Sequence, residues 1–355
     1  MVNILEELKY LDNAATTKLD NRVLEGMMPY FTDLYGNASS THKLGEKSKS
    51  AIENARKEIS SAINCNTSEI IFTSGSTESI NLAIKGFVES NSHKGNHIIT
   101  LKTEHKAVLE TLRYLETKGI EVTYLDVDSS GIISLEELLQ SIKETTLMIA
   151  IMYVNNETGV IQEISKIGEI AKERGICFFS DSTQAIGKIE VDVDALNVDM
   201  LCFSGHKISG PKGIGVLYIR DGIEITPQIH GGSQEFGLRS GTYNTPLIVG
   251  IGIAVKIASN EYKKNFEKAI QLREDILEYF TKNNIGKMAF QRDNTVPNII
   301  SIELNDIDAE EFLMFNSSKF FASTGSACNS GLQISSYVID AIFKNERKQI
   351  IRISI

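Results

Sequence analysis

Lys207 stands in "FSGHKISGPKGIG" (203–215), directly after an apolar run and ahead of a glycine-rich stretch, not on a helix face where a surface cation is expected. Other chemistry-bearing residues hold equivalent places. "EIIFT" runs into "SGSTES" (74–79), a glycine turn opening a helix, whose first-turn amides and the hydroxyls of Ser76 and Thr77 make an anion site. The plainer reading of that stretch is a capping box, Ser76 with Ser79 or Thr77 with nearby amides. No GK[ST] follows, so it is not a P-loop. "HIITL" leads to "KTEHKAV", with His105 at a helix start, and "LMIAIMYV" to "NNETG" (155–159), where Asn155 and Asn156 either form a turn or direct an amide into a site. "ICFFS" leads to "DSTQ" (181–184), an aspartate at the end of a buried strand, costly unless a cation pairs with it. An anion cup, a strand-end carboxylate and a strand-end lysine in one crevice are the set that pyridoxal phosphate requires. The lysine makes the Schiff base, the acid sits beside the pyridine nitrogen, and the helix N-terminus takes the phosphate. A dinucleotide fold is the alternative, but "GIGIAV" (250–255) lacks the third glycine and lies inside a predicted helix.

The elements that must position these residues follow from hydrophobic period. "EIIFTS", "HIITL", "VTYLDV", "LMIAIMYV", "ICFFSD", "MLCFS" and "GVLYI" read as short strands, most of them apolar on both faces. Helical spacing separates them at 80–87, 105–118 and 161–174, with a further helix upstream through Leu44 to Ala62. Doubly apolar strands alternating with helices predict a mostly parallel seven-stranded sheet covered on both sides. Ligands in such sheets bind beyond the carboxyl ends of the strands, where the residues above stand. Residues 244–284 read as one long helix with Pro246 in its first turn, and strands near 298–304 with a helix near 308–316 suggest a smaller α+β unit.

The chain has 355 residues, enough for one large core and a smaller one, and a net charge of −10 that argues against coating nucleic acid or an anionic membrane. Its longest apolar runs are too short to span a bilayer. "MVNILEELKYLDNAATT" lacks the basic end and apolar core of a signal peptide, so a cytoplasmic location is expected. Four cysteines, at 65, 177, 202 and 328, have no metal-like spacing, and no metal site is expected. Cys177 and Cys202 lie in strand-like runs and read as buried thiols, and Cys65 reads as incidental in a turn. Cys328 differs, because "STGSACNSGLQISS" (323–336) is small, polar and without helical or strand period, so its thiol is expected to be exposed on a loop.

"YLDNAATT", "FTSGSTESINLAIKG", "TEHKAVLET", "VNNETGVIQ", "DSTQAIGK", "SGHKISGPKGIGVLY", "HGGSQEFGLRSGT" and "STGSAC", in that order over nearly the whole chain, resemble the cysteine desulfurases of the NifS/IscS type. These belong to the class V aminotransferase group with the fold type I architecture. The resemblance implies a large domain over 15–258 and a small one over 1–14 and 259–355 that carries the Cys328 loop. It implies that Lys207 holds pyridoxal phosphate as an imine, that Asp181 pairs with the pyridine N–H, and that Gln184 donates to the ring 3-oxygen. His105 is expected to stack on the ring and relay protons. Ser76, Thr77, Ser204 and His206 are expected around the phosphate, with Thr242 reaching in from the partner subunit of a homodimer. Asn155 and Arg352 are implied as the grip on the substrate carboxylate, and Cys328 as the nucleophile that takes sulfur from L-cysteine, leaving alanine. A selenocysteine lyase or another small-substrate enzyme of the same fold is the alternative activity, and a non-catalytic adaptor the non-enzymatic one.

The chain departs from the family at Ser76, where alanine is usual, and before Arg352, where "AIFKNERKQIIRISI" lacks the usual Ala-Leu-Gly-Leu segment. A C-terminal tail shorter than usual is expected after Ile355, the part that docks sulfur acceptors in relatives. Iron–sulfur assembly, tRNA thiolation and DNA phosphorothioation all stay open as the sulfur's destination. The acidic composition favours an acceptor protein over direct nucleic-acid contact.

Overall fold

The computed structural model describes Leu5 and residues 9–325, 336–344 and 346–355. All seven expected strands form: β1 (Ile70–Thr73), β2 (His97–Leu101), β3 (Glu121–Leu125), β4 (Thr146–Ala150), β5 (Cys177–Asp181), β6 (Met200–Ser204) and β7 (Gly215–Ile219). They make one sheet in the order β1-β7-β6-β5-β4-β2-β3. The sheet is parallel except for β7, which runs antiparallel to both β1 and β6. A second sheet, β8 (Gly286–Met288), β9 (Ile299–Leu304) and β10 (Ile350–Ser354), is antiparallel with β9 in the middle.

Helices in chain order are α1 (Asn21–Met27), α2 (Pro29–Thr32), α3 (Lys43–Ile63), α4 (Ser76–Asn91), α5 (Lys106–Glu116), α6 (Leu135–Ser141), α7 (Ile164–Arg174), α8 (Thr245–Lys282), α9 (Ala309–Asn316) and α10 (Tyr337–Ile342). The long amphipathic ones fall within four residues of their expected ends. The short α1, α2 and α6 were not predicted, because seven residues or fewer carry too little period to read.

Period-2 alternation explains why the strands are apolar throughout. Ile99, Ile149, Phe178, Leu201 and Val216 share one core with Ile52, Ile59 of α3 and Ile164, Ile167 of α7. Their neighbours Ile98, Met148, Phe179, Cys202 and Leu217 share another with Ile80, Ala83 and Ile84 of α4 and Val108, Leu112 of α5. Each fully buried Ile or Phe contributes roughly 1.5–3 kcal/mol, so both faces of the sheet are clamped. The second sheet has its own core of Ile276, Phe280, Ile300, Ile302, Phe312, Ile351 and Ile353. The 38-residue α8 links the two, burying Ile248, Ile251 and Val255 at one end and Ile276, Leu277 and Phe280 at the other.

Candidate active site

The carboxyl ends of β1, β2, β5 and β6 open on one cleft of about 540 Å³, lined among others by Ser76, Thr77, His105, Asp181, Gln184, Ser204, His206 and Lys207. Eight of the residues read from the sequence are thus brought together. A larger cavity of about 840 Å³ lies at the amino ends of β4 and β5. Three of its charges form one cluster, Arg220 bonding Asp194 at 2.7 Å and approaching Asp199 at 3.7 Å.

Lys207 follows β6 on a single turn of 3-10 helix, and its ammonium donates to the carbonyls of Ala14 at 2.6 Å and Ala15 at 2.8 Å. Gln184 is buried and donates through Nε2 to the same Ala14 carbonyl at 2.9 Å. Asp181 ends β5 and is 5 % exposed, and among the described residues no lysine or arginine pairs with it. Its Oδ1 instead accepts the Thr183 amide at 3.0 Å and faces the Cys202 thiol at 3.7 Å, while Oδ2 makes no hydrogen bond among the described residues. Burial first, and the Asp181 carboxylate second, push the Cys202 thiol well above its ordinary range, so it stays a protonated donor to Asp181.

His105 is the N-cap of α5, and its Nδ1 accepts the Ala107 amide at 3.1 Å. That bond places the ring proton on Nε2. Burial lowers its pKa, partly opposed by Asp181 and reinforced by Lys207, so the neutral ring is favoured near pH 7. His206 bonds Thr16 Oγ1 at 3.1 Å and is pushed down to about 4 by burial, then by Lys207 and Lys212.

At the head of α4 the capping-box reading fails. The N-cap is Gly75 with no side-chain cap, and Ser79 turns inward to Thr73 at 2.7 Å. Ser76 Oγ bonds Thr183 Oγ1 at 2.7 Å, tying the turn to the β5 exit. Gly75 has φ +155°, and a Cβ at the facing Gly215 would come within 2.6 Å of the Gly75 Cα, so both positions require glycine. The first-turn amides of Ser76 and Thr77 receive no side-chain acceptor there, which leaves them for an anion.

These features fit pyridoxal phosphate. The cradle at Gly75 with uncapped amides suits a phosphate, Asp181 Oδ2 suits a protonated ring nitrogen, and Lys207 suits the covalent attachment.

The structure separates the remaining residues. Asn155 is buried with its amide fully used, Oδ1 accepting the Glu157 and Thr158 amides at 2.9 and 3.0 Å and Nδ2 donating to the Thr103 carbonyl at 2.9 Å. It shapes the turn, and its neighbour Asn156 lines the cleft instead, with a buried Oδ1 that has no partner. The spacing of "NNETG" alone does not say which asparagine turns inward. Arg352 on β10 is 2 % exposed, donating to Asp12 Oδ1 at 2.6 Å and to the Asn156 carbonyl at 2.9 Å. Thr242 is exposed and outside the cleft. Its loop is pinned by the buried Arg56–Glu235 pair at 3.0 Å and by Arg239–Glu78 at 2.7 Å. Cys328 lies outside the described residues.

Two buried acids escaped the sequence reading. Glu104, directly before His105, accepts the Met152 amide at 2.7 Å, and burial pushes its pKa well up. Glu157 is likewise raised by burial and accepts the Ser336 hydroxyl. Their only signal was position, an acid inside a strand-end motif.

Residues 9–355 match the family described as aminotransferase class-V, and the chain belongs to that family, whose members are pyridoxal-phosphate enzymes. Its relatives there are narrower in kind. The "Cysteine desulfurase IscS" of Methanosarcina thermophila is 45% identical over 333 residues, covering 94% of this chain and 82% of its own. Among solved structures, one described as "NIFS-LIKE PROTEIN" superposes with a TM-score of 0.92 at 38% identity, covering 98% of this chain and 93% of that one. Another, "SspA in complex with cysteine", has a TM-score of 0.87 at 40% identity and covers 98% of both chains.

Proposed function

We propose that this protein is a pyridoxal-phosphate-dependent cysteine desulfurase, converting L-cysteine to L-alanine and passing the sulfur to Cys328 as a persulfide for an acceptor. The observation that carries the reading is the convergence of Lys207, Asp181, Gln184 and His105 on one cleft beside the uncapped head of α4. The family relationship narrows the chemistry to sulfur, and the neighbour described with cysteine supports that substrate.

When bound, pyridoxal phosphate supplies an electron-withdrawing ring that acidifies the substrate carbon next to its nitrogen and activates the C–S bond. Asp181 Oδ2 would hold the ring nitrogen protonated. The α4 amides, Ser76, Thr77, Ser204 and His206 would bind the phosphate, His206 as a neutral ring at physiological pH. Lys207, when its amine is free, would move a proton at the substrate carbon. His105 presents Nε2–H and so gives a proton before it can take one.

Asn156 and Arg352 would take the substrate carboxylate, which competes with Asp12 for the guanidinium. Cys328, as a thiolate, would attack the substrate sulfur. The new S–S bond forms as the C–S bond breaks, and the bonding pair stays on the carbon skeleton, which takes a proton and leaves as alanine.

The reading includes a homodimer, with the exposed Thr242 loop reaching the partner's site. It also includes a division into a large domain (15–258) and a small one (1–14 and 259–355) sharing α8, and a sulfur-acceptor protein, with iron–sulfur assembly one route. We infer a cytoplasmic location; among the described residues no helix is long and apolar enough to cross a membrane.

The test is to load the purified protein with pyridoxal phosphate, add L-cysteine, and assay alanine and sulfide for wild type, K207A and C328A. Equimolar products from wild type alone are expected. Products from C328A at the wild-type rate would overturn the sulfur role of Cys328.

A further inference from the structure

Among the described residues, Lys188 reaches the cleft through Gln184. It stands four residues further on, in a turn closed by Ala185 N–H to Ser182 O at 2.9 Å and Lys188 N–H to Ala185 O at 3.0 Å. That helical spacing puts both side chains on one side. Gly187 lets the turn lie against α8: its φ is +74°, and a Cβ there would come within 2.7 Å of Ala258 Cβ. The Lys188 ammonium donates to Gln184 Oε1, and Gln184 Nε2 donates in turn to the Ala14 carbonyl that also holds Lys207. Lys188 is absent from the lining of the cofactor cleft. It borders a second cavity of about 400 Å³ together with Asn13, Thr17 and Lys207.

The two ends of a glutamine amide have nearly the same shape, so packing alone does not choose between them. An ammonium does choose, because it has three donors and no acceptor and therefore faces only the amide oxygen. With Oε1 turned to Lys188, the NH₂ end faces Ala14 and the cleft. One amide hydrogen goes to the Ala14 carbonyl and the other is left to donate into the cleft.

We propose that Lys188 is a positioning residue whose ammonium locks the donor end of Gln184 toward the cofactor and, through the shared Ala14 carbonyl, sets the place of Lys207. This rests on the cofactor reading above. Burial, then the charges of Lys207 and Arg352, lower the Lys188 amine to about 7.

The experiment compares full-length wild type, K188R, K188M, Q184M and the K188M/Q184M double variant, each titrated with pyridoxal phosphate. Cofactor affinity and the pH midpoint of the bound cofactor's visible band are measured. K188M is expected to bind the cofactor about tenfold more weakly, the worth of one hydrogen bond to a charged group, with a displaced pH midpoint. K188R is expected to restore both. In the Q184M background, K188M is expected to add no further loss, which keeps the test independent of how K188M alone folds. Full additivity of the two changes, or a K188M protein with wild-type affinity and midpoint, overturns the role of Lys188 and leaves the cofactor reading standing. Wild type that takes up no pyridoxal phosphate overturns both.

Discussion

On the sheet side of the cleft, the groups that would meet the cofactor each keep one atom out of internal bonding. Asp181 offers Oδ2, His105 offers Nε2–H, and the head of α4 has no side-chain cap. On the opposite side, where β10 and the 155–159 turn meet, most of the polar side chains are already engaged with each other, Asn156 Oδ1 being the atom left toward the cleft. Asn155 has spent its amide on three backbone groups, Arg352 is held by Asp12, and Glu157 holds Ser336. Strand ends of a doubly covered sheet are fixed by the core beneath them, so they present free polar atoms at little cost in order. The other side rests on a three-stranded sheet and orders itself by closing its own network. The cofactor half is preformed, and the substrate half must exchange internal partners for the substrate's.

The comparison is sharpened most by removing its chemical centre. K207A is expected to lower turnover by at least about 10⁴-fold, read as alanine formation from L-cysteine. It is expected to leave the melting temperature within a few degrees, since Lys207 stands at the cleft edge and its bonds to Ala14 and Ala15 are to backbone carbonyls.

Breaking the support of the Thr242 loop acts on stability instead. R56M leaves Glu235 buried without its cation and is expected to cost about 3–5 kcal/mol in chemical denaturation. A loss under about 1 kcal/mol would mean that the loop is held elsewhere.

The paired asparagines divide the two functions of one turn. N155A strands buried amides and is expected to cost about 1–3 kcal/mol of stability. N156A is expected to leave stability nearly unchanged and to raise KM for cysteine about tenfold. The reverse pattern would assign the cleft role to Asn155.

The smallest effect is a pH dependence. The His206 pKa falls from 6.5 to about 4 on folding, so between those values the unfolded chain binds the proton and the folded chain does not. Stability of the cofactor-free protein is therefore expected to fall as pH drops from about 6.5 toward 4. H206N removes that part of the slope, and an unchanged slope in the variant would show that other groups carry it.

Much of this was legible beforehand because it depends on local pattern. Doubly apolar runs of about five residues can only be strands buried on both faces, and amphipathic stretches between them can only cover such a sheet. Residues at the ends of parallel strands then converge, which is why Lys207, Asp181 and the 74–79 turn were legible from spacing, while a role for His105 came only from the family resemblance. The cation expected beside Asp181 is the protonated ring nitrogen of the cofactor, to which Oδ2 is left, and what the sequence did not reveal is how the other oxygen is held. A backbone amide and a protonated thiol hold Oδ1, and Cys202, read only as a buried thiol, supplies the second of these.

What tertiary structure alone decided has a common physical cause, the contact between chain segments far apart in sequence. It chose Asn156 over its neighbour for the cleft, because Asn155 is needed by the Thr103 carbonyl 52 positions away. It joined Arg352 to Asp12 across 340 positions. It brought Lys188, Gln184 and Lys207 onto the Ala14 and Ala15 carbonyls near the start of the chain. Period and spacing determine which elements form and which ends carry chemistry. The direction of each polar side chain is set by partners that only folding brings within hydrogen-bond reach.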